Sequence, residues 1–195
     1  NTYFDAGTEV ALAAVAMALE DAGYEPKGDE VAQFALATGS AYGAHATAAT
    51  YFSDLYRKGP RRVKPLLFPN AYSNTAASHA AIQFGIAGPH VNYASGCTAS
   101  ASAIWQAATW LDQGKVPLAM ALGYDLLTPL LLKGLLAKGH VAEVAGTVFS
   151  DKDDGFLPGT GWAAILLQPD SDGSHSIARI HAISMGRVRN SAELA

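Results

Sequence analysis

The chain has 195 residues, half of them hydrophobic and 15% charged, with a formal net charge of −4. This composition is typical of one folded globular domain, excludes an intrinsically disordered chain, and gives no electrostatic reason to expect nucleic acid. The single cysteine excludes an internal disulfide and a cysteine-based zinc site, and a reduced, cytoplasmic setting is the expectation.

The amino-terminal part of the chain is predicted to contain three helices and one short strand. The first helix has apolar residues on one face, Asp5 or Thr8 to cap its start, and Gly23 to end it. Gly85 follows the third helix and suits its end. In chain order we predict a helix over 5–22, a strand over 33–38, a helix over 44–57, a basic turn over 57–65 and a helix over 73–84.

The remaining part of the chain is predicted to contain most of the sheet. Its first helix is apolar on nearly every face, so we expect it to be buried. A continuous apolar run follows, which is typical of a parallel strand covered on both faces. In chain order we predict a strand over 90–94, the helix over 98–113, the strand over 116–122, a helix over 129–138, and strands over 162–167 and 177–185. This alternation predicts an α/β fold with a mainly parallel sheet that ends in an antiparallel pair.

The residue that points most directly to chemistry is Cys97, which the sequence places between a predicted strand and a predicted helix. Free backbone N–H groups and the helix dipole favour negative charge at such a position. The thiolate is the nucleophilic form of cysteine, so the position favours covalent catalysis. The alternative is an inert structural thiol, because cysteine is among the residue types most often buried.

The basic turn is a second candidate site, because five of its residues within eight positions are basic. In a chain of net negative charge, such a cluster attracts an acidic partner. An ordinary solvated turn has the same composition, so both interpretations stay open. The five residues are Arg57, Lys58, Arg61, Arg62 and Lys64.

The other polar patterns predict no metal, nucleotide or membrane site. The segment 151–155 lacks the glycine position and closing glutamate of a calcium loop; instead we expect Asp154 to accept backbone hydrogen bonds and Gly155 to adopt an unusual φ. Gly159-x-Gly161 is too short for a dinucleotide motif. The apolar segment 117–136 is interrupted by charged residues and proline, so no membrane span is expected. No histidine pair has metal-binding spacing, and structural or surface roles are expected for His45, His79, His90, His140, His175 and His181.

Five segments in order carry a more specific pattern. They are Ala18-Leu19-Glu20-Asp21-Ala22-Gly23, Gly59-Pro60-Arg61-Arg62-Val63-Lys64-Pro65, Asn74 to Gly85 with Gly88-Pro89, Ser95-Gly96-Cys97-Thr98-Ala99-Ser100, and Asp154-Gly155-Phe156-Leu157-Pro158-Gly159-Thr160-Gly161. Together they resemble the amino-terminal half of a β-ketoacyl synthase, a condensing enzyme of the thiolase superfamily. Each motif alone is weak, but five in the right order are fairly specific, and they cover nearly the whole chain.

The resemblance implies a thiolase-like layered αβαβα fold, of which residues 1–195 represent the amino-terminal half, with the family's first strand and carboxyl-terminal half outside it. It implies decarboxylative condensation of an acyl thioester with malonyl-acyl carrier protein, in fatty acid or polyketide biosynthesis. Cys97 would accept the acyl chain, and its backbone N–H would form part of an oxyanion hole. Arg61 and Arg62 would bind acyl carrier protein, whose phosphopantetheine carries the substrate, so no further cofactor is expected.

The resemblance also implies a dimer. In this family the strand that leads into the cysteine lies at the dimer interface, so we expect residues 91–94 to pair with another subunit. The assembly would be a homodimer or a heterodimer with a ketosynthase. An isolated thiolase-like half would expose a large apolar face, and such faces usually mark an interface.

Departures from the family pattern leave two alternatives open. The family's two decarboxylating histidines belong to its carboxyl-terminal half, so they must come from further chain or from a partner. Thr160 stands where many members have Glu, and Asp153 where many have Arg. One alternative is a non-catalytic subunit akin to a chain length factor, paired with a complete ketosynthase, although such subunits usually lack the cysteine. The other is an acyl-binding or scaffold protein with an inert thiol.

Overall fold

The computed structural model describes residues 4–25, 27, 32–142, 155–170 and 176–186. In chain order these residues form α1 (Ala6–Asp21), β1 (Phe34–Gly39), α2 (His45–Lys58), α3 (Thr75–Phe84), β2 (His90–Tyr93), α4 (Ala99–Asp112), β3 (Leu118–Asp125), α5 (Pro129–Ala137) and β4 (Gly161–Leu167). Short 3-10 turns cover Pro60–Arg62, Pro65–Leu67, Pro69–Ala71 and Gly96–Thr98. Each of these helices and strands was predicted from the sequence to within about three residues.

The strands form one mixed sheet in the order β2-β1-β3-β4. β1 lies parallel to both β2 and β3, whereas β3 and β4 are antiparallel. The prediction of an α/β fold with a mainly parallel sheet is therefore confirmed. Because parallel strands share a direction, the carboxyl ends of β1, β2 and β3 meet at one edge of the sheet, here called the carboxyl edge.

The two faces of the sheet carry side chains of different size. Alternate residues of a strand point to opposite faces, so the large side chains of β1 and β3 collect on the face covered by α1 and α3. The alternate positions carry alanine and lie under α4, and these small side chains let α4 approach the sheet closely. The large residues are Phe34, Leu36, Met120 and Leu122, and the small ones are Ala35, Ala37, Ala119 and Ala121.

The ends of the helices follow the sequence signals. The Asp5 side chain caps α1 by accepting a 2.8 Å hydrogen bond from the N–H of Thr8. Gly85 follows α3 with φ of +65°, in the left-handed region where a side chain is disfavoured. These two local signals fix where the elements that flank β1 begin and end.

The structure corrects two expectations about the apolar segments. Residues 177–185 form no strand: the described segment 176–186 is exposed and has no sheet partner among the described residues. The antiparallel pair is β3 with β4 instead. The helix α4 is buried where it packs on the sheet, but it is not buried throughout: Ser100 and Ala101 are exposed and Ile104 is half-buried.

Candidate functional site

Cys97 lies in a tight turn between β2 and α4. Gly96 has φ of +67°, a left-handed conformation that makes glycine the favoured residue there. The turn is closed by the hydroxyl of Thr98, which donates a 3.2 Å hydrogen bond to the carbonyl of Ser95. The N–H of Ala99, where α4 starts, donates to the carbonyl of Gly96. The predicted strand-to-helix junction is therefore confirmed.

The thiol of Cys97 is free and exposed. Among the described residues, the thiol is therefore not buried. The sulfur belongs to the 3-10 turn directly before the first residue of a 14-residue helix, so it lies near the unpaired N–H groups of that helix end. A thiol so placed can attack an electrophilic carbonyl carbon that approaches from solvent.

Asp125, the last residue of β3, organises the carboxyl edge next to this turn. Its carboxylate accepts hydrogen bonds from the hydroxyl of Ser40 (2.8 Å), the N–H of Ala41 (2.9 Å) and the N–H of Tyr42 (3.0 Å). The hydroxyl of Ser40 in turn accepts a 2.7 Å bond from the N–H of Gly43. One carboxylate thus holds the loop that connects β1 to α2.

A second set of hydrogen bonds ties β2 to the rest of the sheet. The buried hydroxyl of Thr38 donates a 2.8 Å hydrogen bond to the side-chain oxygen of Asn92. The amide of Asn92 donates to the hydroxyl of Ser73 at 3.3 Å. Because Asn92 lies five residues before Cys97, these contacts fix the position of β2, the strand that leads into the turn with Cys97.

Tyr124 is a buried phenol at the same edge, only 5% exposed. Burial, and to a smaller extent the nearby carboxylates of Asp5 and Asp125, raises the pKa of Tyr124 to about 12. The phenol donates a 3.4 Å hydrogen bond to the carbonyl of Ser73. Tyr124 is therefore a neutral hydrogen-bond donor at any ordinary pH.

The basic turn lies on a different part of the chain from Cys97. Arg61 and Arg62 are exposed on the 3-10 turn Pro60–Arg62, which packs against α2. Lys58 pairs with Asp54 of the same helix at 2.7 Å, whereas neither arginine has an ion pair with any other described residue. The two arginines are therefore available to an external partner.

The described part of the chain contains no group of three or more side chains arranged to hold a metal ion. It also contains no helix both long and apolar enough to cross a membrane. The described histidines are hydrogen-bonded within the chain or lie at the surface. His45 hydrogen-bonds to Thr128 at 2.6 Å and His79 to Asn70 at 3.3 Å. His90 bonds to the carbonyl of Gly88, and His140 and His181 are exposed.

The segment after α5 gives mixed outcomes. Asp153, Asp154 and His175 lie outside the described residues. Gly155 has φ of +127°, as predicted, and an added Cβ there would lie 2.7 Å from the carbonyl oxygen of His140. The hydroxyl of Thr160 accepts a 2.9 Å hydrogen bond from the N–H of Leu127.

Ser40, Thr38 and Asp125 belong to the site but were not predicted from the sequence. Each lies in the last two residues of a parallel strand or directly after it. Polar residues in that place are a signal, because the carboxyl ends of parallel strands meet at one edge. Which of these residues meet depends on which strands are neighbours in the sheet. The sequence alone does not give that strand order.

Residues 2–173 match the family model described as Beta-ketoacyl synthase, N-terminal domain. Among curated proteins, the chain is 28% identical over 185 residues to 3-oxoacyl-[acyl-carrier-protein] synthase 2 of Rhizobium meliloti (strain 1021), an alignment that covers 90% of this chain and 44% of that protein. The chain therefore spans less than half the length of this relative.

Solved structures share the fold. A β-ketoacyl synthase from Burkholderia phymatum STM815 superposes with a TM-score of 0.76 at 21% identity, covering 85% of this chain and 42% of that one. A type II polyketide ketosynthase in complex with its acyl-carrier protein and bound to the hexaketide gives 0.72 at 22% identity, covering 83% and 43%. The thiolase-like fold expected from the sequence is confirmed, as is its restriction to the amino-terminal half.

Proposed function

Because this chain belongs to the β-ketoacyl synthase family and matches its amino-terminal domain, we propose that it carries the acyl-accepting site of a condensing enzyme in fatty acid or polyketide synthesis. The observation that supports this most is the exposed thiol of Cys97 in the turn before α4. A thiol suits the task, since exchange between thioesters is nearly isoenergetic and keeps the acyl carbonyl electrophilic.

The first step of the proposed reaction is acyl transfer. The thiolate of Cys97 attacks the carbonyl carbon of an acyl thioester on acyl carrier protein, and a new C–S bond forms. The old C–S bond breaks, and the phosphopantetheine thiolate leaves and takes up a proton. The backbone N–H of Cys97 is the proposed donor to the oxygen that becomes negative in between.

The second step is carbon–carbon bond formation. A malonyl thioester loses carbon dioxide, and the electron pair of the broken C–C bond forms an enolate. The enolate carbon attacks the acyl carbonyl carbon, the C–S bond to Cys97 breaks, and the thiolate is released for another cycle. The groups that promote decarboxylation are proposed to lie in further chain or in a partner.

Two surfaces complete the proposal. Arg61 and Arg62, both exposed, are proposed to contact the acidic acyl carrier protein. β2 is an edge strand of the sheet, so its outer side has unpaired backbone groups among the described residues. We propose that residues 91–94 pair there with another subunit, either a second copy or a ketosynthase partner.

A thiol-directed inhibitor tests the proposed role of Cys97. The protein is incubated with a cerulenin-like epoxide or another alkylating acyl mimic, and the modified residue is located by mass spectrometry. One adduct on Cys97, absent from Cys97→Ala, is the expected result. If a control ketosynthase is labelled and this protein is not, the thiol is inert.

The same experiment separates the alternatives. A non-catalytic subunit akin to a chain length factor, or a scaffold protein, has no need of a reactive thiol and would give no adduct. The exposure of Cys97 favours the enzyme over both.

A further inference from the structure

We infer that Gly39 and Gly123 are positioning residues for Cys97: by lacking side chains, they let the first turn of α4 lie directly on the sheet. The inference rests on the proposed role of Cys97 as acyl acceptor. It concerns the backbone under the turn, which no step of the proposed reaction uses directly.

The two glycines belong to one row of small residues under α4. Gly39 is the register partner of Gly123 across the β1–β3 pair. Since side chains alternate between faces, positions 35, 37 and 39 of β1 share a face with positions 119, 121 and 123 of β3. Along both strands the row runs alanine, alanine, glycine. The face of the sheet under the start of α4 therefore carries no side chains at these two positions.

The contacts at the end of this row are very close. A Cβ atom on Gly39 would overlap the backbone carbonyl group of Ala99 and lie 2.6 Å from the backbone nitrogen of Ser100. A Cβ atom on Gly123 would lie 2.5 Å from the hydroxyl oxygen of Ser100 and 2.9 Å from its Cβ. Real Cβ atoms essentially never come so near, so any side chain at either position would displace the first turn of α4.

That displacement reaches the thiol. Cys97 lies two residues before Ala99, and the 3-10 turn Gly96–Thr98 runs directly into α4. Lifting Ala99 and Ser100 from the sheet therefore moves the sulfur relative to the carboxyl edge. Reactions at an enzyme nucleophile are sensitive to shifts of this size, since a misplacement of about 1 Å can cost about 100-fold in rate.

The two contacts differ in a way that makes the inference testable. The overlap at Gly39 is with backbone, which no substitution can remove. The overlap at Gly123 is with the side chain of Ser100, and replacing that serine by glycine would leave its Cα, at 3.9 Å, as the nearest atom. Ser100→Gly should therefore rescue Gly123→Ala and should not rescue Gly39→Ala.

The test compares the full-length wild-type protein with five variants. They are Gly123→Ala, Ser100→Gly, the double variant that combines these two, Gly39→Ala, and Gly39→Ala with Ser100→Gly. Gly134→Ala in α5 is the control, because an added Cβ there has no neighbour within 4 Å. Two rates are measured at a temperature at which circular dichroism finds each variant folded. One is alkylation of Cys97 by iodoacetamide, and the other is its acylation by an acyl-pantetheine thioester.

We expect Gly123→Ala to slow both reactions by about tenfold or more, and the double variant to return to within about threefold of wild type. Gly39→Ala should be slow or unfolded with either residue at position 100, and Gly134→Ala should match wild type. A folded Gly123→Ala with wild-type alkylation overturns the inference, as does a double variant as slow as the single one. If Gly123→Ala does not fold, a folded and reactive double variant supports the inference and an unfolded one overturns it.

The two rates separate this inference from the proposed function. If wild-type protein is alkylated but never acylated, the proposed function fails while the alkylation rates still decide the role of the glycines. If wild-type acylation is normal and Gly123→Ala does not change it, the function stands and the positioning role is wrong.

Discussion

The hydroxyl of Ser40 donates a 2.8 Å hydrogen bond to the carboxylate of Asp125, which joins the end of β1 to the end of β3. Two backbone N–H groups, of Ala41 and Tyr42, donate to the same carboxylate. The loop that leads into α2, and through α2 to the basic turn, is therefore anchored at one acidic side chain.

Replacing Asp125 by asparagine should destabilise this anchor. One carboxylate oxygen becomes an NH₂ group. This group is itself a donor, so it cannot accept a hydrogen bond from the donors that face it. We expect the free energy of unfolding to fall by about 1–3 kcal/mol, the usual cost of unpaired polar groups. Urea denaturation followed by circular dichroism measures it. Asp112→Asn, at the exposed end of α4, is the matched control and should change little; equal losses in the two variants would refute the anchor.

The phenol of Tyr124 should make stability depend on alkaline pH. Its pKa is about 12 in the folded protein, against 10.0 for the ordinary side chain, mainly because it is buried. The folded state therefore keeps a proton that the unfolded state loses. This stabilisation is fully present below about pH 10 and is lost as the pH rises through about 12.

Tyr124→Phe isolates this contribution. Wild type should lose about 2–3 kcal/mol more stability than the variant between neutral pH and pH 12, because a shift of one pKa unit corresponds to about 1.4 kcal/mol. Urea unfolding at stepped pH values, compared between the two proteins, measures the difference. Parallel curves would mean that the phenol ionises equally well in the folded state.

Reversing the charge of Arg61 and Arg62 should weaken only reactions that use the carrier protein. We expect Arg61→Glu with Arg62→Glu to lower kcat/KM for acyl carrier protein thioesters by about tenfold at low salt, and less at high salt. The rate with acyl-pantetheine should not change. Lys133→Glu with Lys138→Glu, two exposed lysines outside the basic turn, is the control. A fall with both substrates, or with the control pair, would contradict specific docking.

The open edge of β2 should be a subunit contact. The carbonyls of Pro89 and Tyr93 accept hydrogen bonds from the N–H groups of Leu36 and Ser40, so the backbone groups of the alternate residues His90 and Asn92 face outward. Sedimentation should find a dimer, and His90→Pro, which removes one outward N–H, should weaken it, whereas His90→Ala should not. A stable wild-type monomer would exclude this interface.

The elements were predictable because their signals are local. Asp5, Gly23 and Gly85 mark helix ends by their own chemistry, and the continuous apolar run near β3 marks a buried strand whatever its neighbours are. The segment 177–185 is also rich in apolar residues, although Arg179, His181 and Ser184 interrupt it. It forms no strand, since a strand also needs a partner, and none of the described strands pairs with it.

The position of Cys97 was predictable, but its surroundings were not. Its turn carries its own sequence signal in Gly96 and in the small residues that follow. The Asp125 anchor and the Gly39–Gly123 pair join residues more than 80 positions apart, and they arise from the register of β1 with β3. No local pattern encodes that register.

Acyl loading of Cys97 tests the central claim most directly. The protein is incubated with an acyl-carrier-protein thioester and its mass is measured intact and after digestion. We predict one added acyl group, located on Cys97, released by neutral hydroxylamine as a thioester is, and absent from Cys97→Ala. An unchanged mass under conditions that load a control ketosynthase, or an acyl group on another residue, would contradict the account.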